Sequence, residues 1–158
     1  MKLILLSSIF HIKKCKSSSL ESYSVGPLPM VTSTELNNGV EKFIEPNEND
    51  EIIDKVPCIT ISGFGFAAVQ TKPFLGAGNN GAYVKALIPK SKMSLMEIYF
   101  YAAQINLQQW RFSYGRLAIK PRVEMLKVKS FDIKEENIKK INKDISGLII
   151  KSLDEIKS

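Results

Sequence analysis

Apolar residues fall in short runs separated by polar breaks, and most runs suit strands rather than long helices. In residues 1–14, Leu3, Leu6, Ile9, Phe10 and Lys13 fit a loose helical period, so the opening reads as a buried element, helix or strand. Residues 16–29 are polar, with Ser17, Ser18 and Ser19 and then Gly26, Pro27 and Pro29, and read as a loop. Residues 30–34 are rich in β-branched side chains and predict a short strand. Asn37, Asn38 and Gly39 tolerate positive φ and predict a turn, with a returning strand over 40–44. Residues 45–55 read as an acidic surface loop.

The middle of the chain predicts β-structure. Residues 58–62 form a buried strand, residues 63–66 a glycine turn, and residues 67–70 continue the chain. Residues 76–81 form a loop rich in Gly and Asn, followed by a strand over 82–88 that Pro89 closes. Ser94 with Glu97 makes a capping box for a helix over 95–110, with Leu95, Ile98, Tyr99, Ala102, Ile105 and Leu107 on its apolar side. A turn at 111–116 and a strand at 125–128 follow. A last amphipathic helix is expected over 135–156, with Ile138, Ile141, Ile145, Leu148, Ile149 and Ile156 at helical spacing. The mixture predicts an α+β fold.

Composition narrows the function. The 158 residues suit one ordinary domain, and 44% hydrophobic against 24% charged residues supports a packed core. With no apolar run of membrane-spanning length, no membrane association is expected. The N-terminal apolar run meets basic residues at once and lacks a small-residue cleavage site, which points to a cytoplasmic protein. Two cysteines, Cys15 and Cys58, are too few for a disulfide scaffold and read as free thiols. The net charge is +6, from 22 basic and 16 acidic residues. Four of those acids, Glu45, Glu48, Asp50 and Glu51, fall within residues 45–51, so the remainder is more basic than the total implies.

Catalytic patterns are weak. The single histidine, His11, lies near no nucleophile motif, and the carboxylates are not clustered as a metal-dependent nuclease requires. No enzyme activity, cofactor or metal is expected. Gly76, Gly78 and Gly81 spell a dinucleotide-type glycine pattern, but a strand rather than a helix is expected to follow it. Residues 110–122 are more informative: Arg111, Arg116, Lys120 and Arg122 interleave with Trp110, Phe112 and Tyr114. Guanidiniums pair with phosphates or guanine edges, and Ser and Tyr hydroxyls add phosphate contacts. The same pattern also fits a core that takes Trp110 and Phe112 and leaves a solvated basic face.

The order of these segments resembles a known family. It runs from residues 28–34 into Asn37, Asn38, Gly39 and Val40, then through residues 59–65, Pro73-Phe74 and Asn79-Asn80. A strand ending at Pro89-Lys90, a helix and residues 111–116 complete it. This resembles the target recognition domain of restriction–modification specificity (S) subunits of type I and the related type IIB and IIG systems, over most of residues 3–130. The resemblance implies a non-catalytic domain with a twisted, partly barrel-like sheet and flanking helices, which reads double-stranded DNA largely through the major groove. It implies a recognition domain over 1–130 and a spacer-like or dimerising helix over 131–158. It turns the loops at 34–39 and 76–81 and the turn at 111–116 toward DNA.

On that reading, Thr34, Asn37, Asn38, Asn79, Asn80, Arg111, Ser113, Tyr114, Arg116, Lys120 and Arg122 bind DNA. The asparagine carboxamides match adenine. The implied partners are DNA methyltransferase and restriction subunits. S subunits of the family usually carry two recognition domains, and one is visible here. The expectation is therefore a half-subunit that forms a homodimer, or a free-standing domain. The rival reading is a non-catalytic protein-interaction module in the specificity slot of such a complex, docking through the 138–149 apolar face.

Overall fold

A computed structural model describes residues 2–78, 83–132, 143–144 and 146–147. The chain opens with β1 (Leu3–Leu5), a single helical turn α1 (Leu6–Ile9) and β2 (Phe10–Lys14). The opening is thus strand, turn and strand in succession, not one element. Next come β3 (Val25–Val31), β4 (Val40–Ile44), β5 (Cys58–Ile61), β6 (Ala67–Gln70), β7 (Leu75–Gly76) and β8 (Lys85–Pro89). Two helices, α2 (Leu95–Asn106) and α3 (Lys120–Glu124), precede the last strand, β9 (Lys127–Lys129).

The strands form three sheets, ordered β1-β9, β2-β8-β5-β6 and β4-β3-β7. The α+β expectation holds, and among the described residues no sheet closes into a barrel. β1 pairs antiparallel with β9, and the Ser130 amide donates to the Lys2 carbonyl, so the two ends of residues 2–130 meet.

β3 begins well before the strand expected at residue 30, and it absorbs part of the expected 16–29 loop. The prolines are accommodated by a register break between Val25 and Leu28 against β4. Gly26 permits the approach: a Cβ there would meet the Glu45 nitrogen at 2.4 Å. β8 is shorter than expected because the Val84 amide leaves the ladder and donates to the Ala77 carbonyl.

The main core lies between the four-stranded sheet and α2. Ile59, Ile61, Val69 and Leu87 pack with Ile98, Tyr101, Ala102 and Ile105, and Val123, Leu126 and Val128 close one end. The buried positions of α2 follow helical spacing. Leu95, Tyr99 and Leu107, expected to face inward, are exposed. The capping box is present: the Ser94 hydroxyl accepts from the Glu97 amide, and the Glu97 carboxylate accepts from the Ser94 amide. The helix stops at Asn106 rather than 110. There the Asn106 carboxamide bonds the Ala67 backbone at both its N–H and its carbonyl, which fastens the helix end to β6. Of the helix expected over 135–156, only residues 143–144 and 146–147 are described, and they are helical; the apolar face of the rival reading lies outside the described residues.

Candidate nucleic-acid interface

The turn after α2 is built on a glycine. A 3-10 turn (Gln109–Arg111) leads into Phe112, which is buried, while Trp110 before it is 78% exposed. Phe112 lies against Gly65, which has φ of 82°, and a Cβ there would meet the Phe112 ring at 2.3 Å. The turn at 63–66 therefore serves as a seat for residues 110–116. Three further contacts fix them together. The Ala118 amide donates to the Gly63 carbonyl, Phe64 meets Tyr114 edge-on at 5.1 Å, and Ser113 and Arg116 exchange backbone hydrogen bonds across the turn.

This arrangement pushes the polar and cationic side chains outward. Arg111, Ser113, Tyr114 and Arg116 are all exposed. Among the described residues, the Arg116 and Ser113 side chains make no hydrogen bond or ion pair, and Arg111 only lies over the Trp110 ring, 5.4 Å from its centroid. Two adjoining clefts share the two arginines. One, of about 400 Å³, is lined by Trp110, Arg111, Ser113 and Arg116. The other, of about 370 Å³, adds Phe112, Pro121, Arg122, Met125 and Leu126. Neither has an acidic residue in its lining.

Arg122 belongs to this group because residues 120–124 are helical, which the sequence reading missed. Pro121 sits in the first turn of α3, where its missing N–H costs nothing. Arg122 Nη1 donates to the Leu117 carbonyl at 2.8 Å, and the residue lines the second cleft. Lys120 is less available, since its ammonium lies 3.7 Å from Glu124 on the same helix.

The other expected readers fare differently. The turn at Asn37–Gly39 forms as expected, with φ of 47°, 58° and 82° at Asn37, Asn38 and Gly39. Asn37 is exposed. Asn38 Nδ2 donates to the Val69 carbonyl at 2.6 Å, and the Asn38 main-chain carbonyl accepts from Gln70 Nε2 at 2.9 Å. Its amide donor therefore holds the loop onto β6. Thr34 likewise supports the loop, its hydroxyl oxygen accepting from the Leu36 amide. Asn79 and Asn80 lie outside the described residues.

The structure links the three expected loops at their roots. Gln109 Nε2 donates to the Glu35 carboxylate at 2.6 Å, joining the first loop to the arginine turn. The Tyr83 hydroxyl accepts from the Lys120 amide at 3.3 Å, joining the exit of the 76–81 loop to α3. Tyr83 is itself flanked by Lys14 and Lys85, each ammonium 4.9 Å from its ring centroid. Lys85 is 1% exposed, with Nζ donating to the Tyr83 carbonyl at 2.7 Å and the Ser62 carbonyl at 3.3 Å. Burial pushes its amine down from 10.5 to about 8.

The acidic loop is occupied elsewhere. Glu51 pairs with Lys13 at 2.5 Å, which holds its carboxyl below the usual range. Asp50 accepts from the Tyr23 hydroxyl and the Asn47 amide. Cys15 and Cys58 are free and buried, as expected for thiols outside a disulfide, and burial raises both to about 12. Among the described residues no group of three or more His, Cys, Asp or Glu side chains could hold a metal, and no helix is long and apolar enough to cross a membrane.

Comparison with known proteins places this geometry. The family model for the type I restriction modification DNA specificity domain matches residues 1–157. No curated protein matches the chain. Among solved structures, the fold is similar to the type-I restriction-modification system S subunit from M. genitalium (TM-score 0.59, 19% identity, 94% of this chain and 42% of that one). It is also similar to the HsdS subunit from Thermoanaerobacter tengcongensis (TM-score 0.62, 12% identity, 99% of this chain and 40% of that one). A chain from a study of assembly and conformational transition in the type I R-M system gives a TM-score of 0.60 at 14% identity, over 97% of this chain and 41% of that one. The chain thus spans about two-fifths of the length of the structures it matches.

Proposed function

The chain belongs to the type I restriction modification DNA specificity domain family, and from that membership we propose that it binds double-stranded DNA sequence-specifically. It supplies target recognition to a complex of DNA methyltransferase and restriction subunits, and is not itself catalytic. Residues 1–130 make up the recognition domain. The meeting of β1 with β9 and of Lys2 with Ser130 supports that boundary.

The observation that carries this reading is the turn at 110–116 with its helical neighbour α3. Three arginines line two adjoining clefts with no acid among the lining residues, and none of the three has an ion-pair partner among the described residues. A folded domain gains nothing in stability from exposed, unpaired guanidiniums, whereas a phosphate backbone gives each a partner. In this proposal Arg111, Arg116 and Arg122 contact phosphates or guanine edges, with Ser113 and Tyr114 adding hydroxyl contacts. Asn37 remains a candidate adenine reader, because its side chain is exposed and uncommitted among the described residues.

Titration of labelled duplex DNA at rising salt tests the reading. Binding should weaken steeply, by a slope of about 0.9 in log K per log salt for each phosphate neutralised. Absence of binding at low salt, or binding indifferent to salt, overturns it.

A further inference from the structure

Beyond the arginines, the same turn holds two large aromatic side chains almost wholly in solvent. Trp110 is 78% exposed and Tyr114 is 91% exposed. Each ring has one neighbour in the turn: the Arg111 guanidinium lies over Trp110, and Tyr114 rests edge-on against Phe64. Exposed apolar surface set among cations is a poor choice for solubility and a good one for a ligand with flat faces and negative charge.

The cleft of about 400 Å³ has the matching composition: one indole wall, two guanidiniums and one hydroxyl. Those are the partners of a single nucleotide, whose base has a π-face and whose phosphate takes guanidinium and hydroxyl donors. Inside an intact duplex both faces of every base are covered by its neighbours. An indole can therefore reach a base face only where a step has been parted.

We propose that Trp110 stacks on a DNA base at a step parted from its neighbour, with Arg111, Arg116 and Ser113 holding the flanking phosphate. This rests on the DNA-binding reading and deepens it. Part of the specificity of this turn then comes from how easily a step opens, which favours flexible pyrimidine–purine steps without any hydrogen bond to a base edge. Met125, 74% exposed beside the second cleft, offers an additional apolar surface to the parted step.

Trp110 is the only tryptophan in the chain, so its emission reports this contact directly. The probe is a duplex enriched by binding of the full chain from a random-sequence library, with DNA binding followed separately by the anisotropy of a label on the DNA. Indole emission should be strongly quenched in parallel with the anisotropy change. Trp110→Ala should weaken binding roughly 5- to 150-fold, as expected for one lost stacking contact, with the salt slope unchanged. Trp110→Phe should recover most of that loss. A mismatch at the enriched step, which makes parting cheaper, should tighten binding to the unaltered chain and not to Trp110→Ala. DNA binding with unchanged emission, or with Trp110→Ala indistinguishable from the unaltered chain, overturns this inference alone. No DNA binding at any salt overturns the DNA-binding reading along with it.

Discussion

Two turns of this molecule attract attention for the same reason and end up with opposite roles. The turn at Asn37–Gly39 and the turn at 110–116 both place polar side chains in a tight bend. In the first, the Asn38 side-chain amide closes on Val69 and the Asn38 main-chain carbonyl accepts from Gln70, so the loop is tied onto β6. In the second, the tie is apolar: Phe112 lies on Gly65 and Tyr114 on Phe64, and the arginines and serine keep their donors free. A turn held by its own polar groups has spent what it could offer a ligand. A turn held by ring packing has not.

The largest expected effect follows from that difference. Arg111→Ala combined with Arg116→Ala should cost roughly 2–6 kcal/mol of DNA binding and reduce the salt slope by about 2. Because both side chains are exposed and unbonded to neighbours, the melting temperature should stay within a degree or two of the parent's. Anisotropy titrations at several salt concentrations, beside a thermal melt, read both quantities. Loss of stability without loss of salt dependence would erase the distinction between the two turns.

Gly65→Ala attacks the apolar seat itself. The new Cβ would overlap the Phe112 ring, and φ of 82° strains any L side chain. A stability loss of roughly 1–3 kcal/mol is expected in urea melts, together with weaker DNA binding at an unaltered salt slope, since the cations remain but are displaced. If binding survives intact, Phe112 does not set the position of the arginines.

Local chemistry explains which parts of this could be read from the residues. The capping box at Ser94 and Glu97 and the left-handed bend at Asn37 and Asn38 follow from interactions within a few residues, and the strands at 40–44 and 58–61 from the β-prone composition of the segments themselves. The end of α2 did not, because it is set by Asn106 bonding to Ala67, 39 residues away. The first part of β3, residues 25–29, reads as loop because Pro27 and Pro29 mask a strand whose register break absorbs them. At the site, the basic run 111–122 was visible as composition. Whether Trp110 belonged to the core was not, since only the packing of Phe112 beneath the turn decides it. The bond that engages the Asn38 side-chain amide is hidden for a similar reason: its partner lies in another strand.

Asn38→Gly tests the committed turn with a smaller effect. Glycine keeps the left-handed backbone and removes only the bond to Val69, so about 1 kcal/mol of stability should be lost. DNA affinity and its salt slope should hold. A loss of discrimination at one adenine, with stability unchanged, would instead return Asn38 to the role of a base reader.

The smallest effect concerns a cation set as differently from Arg111 and Arg116 as the fold allows. Lys85 is buried, with both its recorded bonds to main-chain carbonyls, and its amine is pushed down from 10.5 to about 8. Between those values the unfolded chain keeps a proton that the folded chain has released, so stability rises with pH across that window. Cys15 and Cys58 act in the opposite sense. Burial lifts both thiols from 9.0 to about 12, so above pH 9 the unfolded chain loses protons that the folded chain keeps, and stability falls. The sum is a shallow maximum close to pH 9, at most about 1 kcal/mol above the value at pH 8. Urea melts from neutral to alkaline pH should trace it. Lys85→Met should remove the rise and leave the fall, while Arg111→Ala should leave the whole curve untouched. A parent curve that falls steadily from pH 8 would mean that Lys85 is not held as a buried amine, and the contrast between a cation enclosed by the fold and one offered to a ligand would rest on the arginines alone.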